Sequence, residues 1–96
     1  MTMSEKIQLI HPAGKKAISM DQEKYDLLKK YMLRRLASGI ASTQSEILSF
    51  IKQELVIEKL KFQGSLEWHL EWVKLDLEAR KEIRRIGDKS PQKYSI

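Results

Sequence analysis

Acid–base or metal chemistry in this chain would have to come from His11, His69 and the carboxylates Glu67 and Glu71, which stand one helical turn apart. General acid–base work needs a titratable group within hydrogen-bond reach of a partner. A zinc site needs three or four ligands at defined spacing. His69 lies between the two glutamates, but the pattern is not HExxH and no second histidine completes a ligand set. His11 stands alone in a turn sequence, HPAGKK. Ser38, Ser42, Ser45 and Ser49 have no base at a telling spacing, and Ser45 is explained by a helix start. There are no cysteines, which excludes disulfides, thiolate nucleophiles and cysteine zinc sites together. Gly14-Lys15-Lys16 could attract an anion, yet the preceding glycine and following Ser/Thr of a phosphate-binding loop are missing. A solvated turn is the favoured reading. The reading is a non-enzyme with no cofactor and no metal.

Binding chemistry has more to stand on. From Lys81 onward, five bases (Lys81, Arg84, Arg85, Lys89, Lys93) face two acids, whereas residues 61–80 carry three bases and four acids. Positive charge therefore collects at the C-terminal end, as a nucleic-acid footprint or as an ordinary solvated surface. Trp68 and Trp72 are the other informative pair. They either cover the chain's own N-terminal segment or first helix, or form a dimer or partner interface with Leu75. A small-ligand pocket between the indoles is a third reading.

The elements that must position these residues follow from periodicity. The chain has 96 residues, is 42% hydrophobic and is 32% charged, which suits one soluble domain with one core. No apolar run reaches the ~18 residues of a membrane span. The N-terminus lacks the apolar stretch of a secretory signal, so a cytoplasmic location is expected.

Ile7, Leu9 and Ile10, followed by Pro12 and Gly14, predict a short strand or hairpin within residues 6–18. Ser19 and Gln22 have capping-box spacing, so a first helix is expected from near Ser19 to Leu36, with Tyr25, Leu28, Met32 and Leu36 as its stripe. Gly39 ends it. Thr43-Gln44-Ser45-Glu46 is a second capping box, and Ile47, Phe50, Ile51 and Leu55 continue from it. Glu54 interrupts that stripe.

A third helix is expected from about Ser65 to Glu82. At ~100° per residue, Leu66, Leu70, Val73 and Leu77 share one sector. Trp68, Trp72, Leu75 and Ala79 lie nearly opposite, with Glu67, Glu71, Lys74, Glu78 and Lys81 between. A helix apolar on two sides packs on its own core and on something else. The tail alternates at Ile83–Ile86 and again at Lys93–Ile96, around Gly87-Asp88-Lys89-Ser90-Pro91, and predicts a β-hairpin.

Three segments, GIASTQSEILSFI, VKLDLEARKEIRRI and KSPQKYSI, together resemble a winged helix-turn-helix domain. They match a short strand before a Thr-capped second helix, a recognition helix entering the first wing strand, and the returning wing strand. The whole is also similar to small bacterial proteins of this architecture. The resemblance implies a mostly α fold with a small β component, three helices plus a C-terminal hairpin wing over residues 19–96, and an added strand or hairpin over residues 1–18.

It also implies a transcription-regulator-like module on double-stranded DNA. Lys74, Lys81, Arg84, Arg85, Lys89 and Lys93 would then meet phosphates. Trp68, Trp72 and Leu75 are the candidate homodimer interface on the residue pattern alone. The alternative is a protein-interaction module on the same fold without DNA binding. Two departures stand out: Lys81 occupies a position often held by glycine, and Glu67 and Glu71 sit where a DNA-reading helix faces the bases.

Overall fold

The helix stripes come together as the periodicity requires. The computed structural model describes residues 5–87 and 91–96. Three helices, α1 (Gln22–Leu36), α2 (Gln44–Ile57) and α3 (Leu66–Ala79), pack around Leu28, Tyr31, Met32, Ile47, Ile51, Leu70, Val73 and Leu77. All of these are essentially inaccessible to solvent. Five short strands complete the fold: β1 (Lys6–Gln8), β2 (Ser19–Asp21), β3 (Ser42–Thr43), β4 (Arg84–Ile86) and β5 (Lys93–Ser95).

The strands form two antiparallel sheets. β1 and β2 make a separate hairpin, with Ile7 opposite Met20. The Leu9 amide donates to the Ile18 carbonyl at 2.9 Å, and the Gln22 amide to the Glu5 carbonyl at 2.8 Å. Leu9 and Met20 enter the common core, so the N-terminal hairpin packs with the helices. The second sheet has the order β3-β5-β4. Ser42, Tyr94 and Arg85 lie in register across it. Opposed residues point to the same face of a sheet, and on this face Ser42 and Tyr94 are buried.

Helix ends follow local chemistry. At α2, Thr43 accepts from the Glu46 amide at 3.2 Å while Glu46 accepts from the Thr43 amide at 2.8 Å. At α3, Ser65 accepts from the Trp68 amide at 3.1 Å. The first helix differs from expectation. Ser19 belongs to β2, where its hydroxyl donates to the Gln8 side chain at 2.9 Å. The helix starts three residues later, after Asp21, which makes no side-chain cap. Ser19 had a competing strand partner eleven residues away, which local spacing does not register.

Glu54, the break in the α2 stripe, faces α1, where Arg34 donates to it at 2.5 Å. Arg34 also reaches Glu58 at 3.4 Å, and the Tyr31 hydroxyl donates to Glu58 at 2.5 Å. Burial first, and then this bond, push the Tyr31 hydroxyl up to about 12. The Tyr31 bond in turn holds the Glu58 carboxyl below its ordinary range.

Both α2 and α3 end in the same way. The Leu60 amide bonds the Leu55 carbonyl at 2.9 Å, and the Lys59 amide bonds that of Val56 at 3.1 Å. At α3, Glu82 bonds Leu77 at 2.9 Å and Lys81 bonds Glu78 at 3.1 Å. These are Schellman closures, which place the residue after the cap in the left-handed region. That residue is lysine both times, with φ of 56° at Lys59 and 62° at Lys81.

Two stability effects follow. Leu70→Ala or Leu77→Ala should cost about 2–5 kcal/mol through cavity formation; a loss under ~0.5 kcal/mol in chemical denaturation, the scale of a surface change, would place the core elsewhere. Lys81→Gly should stabilise the fold by about 0.5–1 kcal/mol, the relief of left-handed strain less the extra chain entropy of glycine. A lowered midpoint of thermal unfolding would contradict this.

Candidate functional site

α3 is the element on which the candidate residues converge, and its faces have different fates. The inner face carries Leu70, Val73 and Leu77 into the core. The outer face carries Glu67 and Trp68, which are exposed, and Glu71, Trp72 and Leu75, which are half-buried.

The two indoles part company. Trp72 packs against the core edge and meets His11 edge-on, ring centres 6.5 Å apart, so the N-terminal turn covers part of it. Trp68 is 48% exposed. It stands edge-on to His69 at 4.9 Å, and His69 stands edge-on to Phe62 at 5.0 Å. His69 is a packing residue: its Nδ1 lies 2.6 Å from the Ser65 carbonyl, and a Cβ on Gly64 would come within 3.2 Å of its ring. His11 accepts from the Ala13 amide through Nδ1 at 3.0 Å and organises its own turn.

The basic residues are also sorted by the fold. Lys74 is buried, and its ammonium donates to Gln44 Oε1 at 2.7 Å and to Glu71 Oε1 at 2.9 Å. It lies 5.0 Å from the centre of the Tyr94 ring. Lys74 is therefore corrected from a phosphate contact to an internal strut between α2, α3 and β5. The helical wheel placed it on a polar flank, but α2 and β5 cover that flank.

Arg85 is exposed but lies on the Tyr94 side of the sheet, where it donates to both Glu78 oxygens, at 3.1 and 3.3 Å. That bond raises its pKa further and offsets its charge locally. Lys81, Arg84 and Lys93 are exposed. Lys89 lies outside the described residues.

One polar cluster was missed in the sequence reading. Asp76 is fully buried on α3. It accepts from the Ile10 amide at 2.8 Å, from Arg80 Nε at 2.8 Å and from the Tyr25 hydroxyl. Burial, followed by the bond to Asp76, raises the Tyr25 hydroxyl above its ordinary range. The i, i+4 spacing of Asp76 and Arg80, beside the Val73–Leu77 stripe, was the available signal. The cluster joins the N-terminal segment, α1 and α3, and every described partner in it is structural.

Among the described residues no group of three His, Cys, Asp or Glu side chains could hold a metal, and no helix is long and apolar enough to cross a membrane. The fold and this surface define a small, helix-rich α/β domain with one amphipathic helix face turned outward. The chain belongs to DUF6958, a family of unknown function, whose family model matches residues 6–94. No curated protein and no solved structure matches it.

The Asp76 cluster makes a local prediction. Tyr25→Phe should cost about 1.5–3 kcal/mol, the scale of a hydrogen bond to a charged group. Asp76→Ala should additionally release the Ile10 amide, seen as faster hydrogen exchange at that residue than at Ile51. Unchanged protection of Ile10 would show that the hairpin is held by its apolar contacts alone.

Proposed function

We propose that this chain is a non-enzymatic winged-helix domain that serves as a protein-interaction module, with the outer face of α3 as its contact surface. The winged-helix reading rests on element order: helix, short strand, Thr-capped helix, third helix, then a strand pair, with β3 joined to β5. A cytoplasmic setting accords with a chain free of cysteine.

One observation carries the interaction reading. The outward part of α3 offers an exposed indole beside half-exposed Trp72 and Leu75, bordered by Glu67 and Glu71. Aromatic side chains in such positions suit protein contacts. Exposed Glu67 repels phosphates, and the helix's own lysine, Lys74, is internally engaged with Gln44 and Glu71. A reading helix in a major groove needs the opposite balance.

Lys81, Arg84 and Lys93 favour a second reading, in which the strand pair approaches DNA phosphates. Fluorescence anisotropy with random-sequence duplex DNA separates the two. The interaction module should show negligible binding even in low salt. Binding that falls with salt at a log–log slope of about −0.9 per phosphate, and that loses about two such contacts in Arg84→Ala/Lys93→Ala, would overturn it in favour of a DNA-binding module.

A further inference from the structure

α2 carries an apolar surface that its own core does not use. The helix buries Ile47, Ile51 and Leu55. On its other side Val56 is 77% exposed and Ile57 71%, and Leu60 just beyond the helix is 45% exposed. Val56 lies one turn beyond Lys52, and Ile57 one turn beyond Gln53, so the four make two adjacent rows. Together they line a shallow depression of about 480 Å³.

The charge around it is positive. Lys52 lines the depression, and exposed Lys59 and Lys61 follow it. The acids of the same stretch, Glu54 and Glu58, turn the other way and are held by Arg34 and Tyr31. The result is a shallow apolar patch with Lys52 at its border and exposed Lys59 and Lys61 just beyond it in the chain.

The outer face of α3 is its complement: a half-exposed indole beside the exposed carboxylate of Glu67. We infer that a second copy of the chain fills the patch, with Trp68 of one molecule seated against Val56 and Ile57 of the other and Glu67 facing Lys52 and Lys59. This rests on the reading of α3 as a contact surface and gives that surface a partner. Opposite charge favours this pairing over α3 against α3, which sets Glu67 near its own copy in a parallel approach. It also favours it over patch against patch, which opposes lysines.

Sedimentation velocity on the full chain tests the pairing, with circular dichroism confirming that each variant is folded. The variants are Trp68→Ala and Val56→Ser/Ile57→Ser, all at exposed positions. Wild type should self-associate with concentration, and less strongly as salt rises. Each variant alone should associate more than about tenfold more weakly, as for a central contact residue.

An equimolar mixture of the two variants should recover a complex, because one supplies an intact α3 face and the other an intact patch. Three results overturn the inference. If Trp68→Ala abolishes association and Val56→Ser/Ile57→Ser leaves it at wild-type strength, α3 pairs with itself and the interaction reading survives. A wild type that remains monomeric at millimolar concentration excludes the second copy, while the DNA assay still judges the functional reading separately. Cosedimentation with anionic vesicles that requires Val56 and Ile57, by a chain otherwise monomeric, assigns the patch to a lipid surface.

Discussion

A carboxylate taken out of water must be met by donors, and Asp76 is met by three from three different parts of the chain: the Ile10 amide, the Tyr25 hydroxyl and Arg80. Loss of any one leaves a buried charge under-satisfied. That requirement fixes the N-terminal hairpin beside α3 and sets α1 against α3 at the depth of Tyr25. Much else depends on the placement. Leu9 and Met20 reach the common core because the hairpin is held there, and His11 covers Trp72 for the same reason.

A second polar post works at the other side of α3. Lys74 ties Gln44 at the start of α2 to Glu71, and its ammonium lies over Tyr94 on β5. Arg85 approaches the same ring and binds Glu78. α3 is therefore clamped on both flanks by internal charge, one flank by a carboxylate and the other by an ammonium. Its inner stripe is apolar, and only the strip containing Trp68 faces outward. The geometry separates cations that hold the fold from those that face solvent, a division that net charge of +5 does not reveal.

The sequence was most legible where the determinant was local. The stripes of α1, α2 and α3, the Thr43–Glu46 box, the Ser65 start and the strands flanking Gly87 and Pro91 all follow from residues within one or two turns of each other. Legibility failed where a distant segment supplied the partner. Ser19 has the spacing of a cap but pairs with Gln8. Lys74 has the spacing of a solvent-facing residue but is covered by α2 and β5. Asp76 looked unremarkable because its partners Tyr25 and Ile10 lie more than fifty residues away. Trp68 and Trp72 share a helical face, yet only the second is met by the N-terminal turn. Helical spacing groups residues by direction, whereas their roles depend on what stands in that direction.

The position of β4 gives the arginines of the tail a meaning independent of any ligand. β4 is an outer strand of its sheet, exposed along its whole length. An outer strand presents unpaired backbone donors and acceptors on one side, and another polypeptide can add to them. Consecutive arginines at the start of β4 make such an addition costly, since an incoming copy of the same strand brings the same charges into register. Arg84 projects this charge outward, and Arg85 is drawn back to Glu78. The charged edge thus disfavours the addition of a further strand along β4.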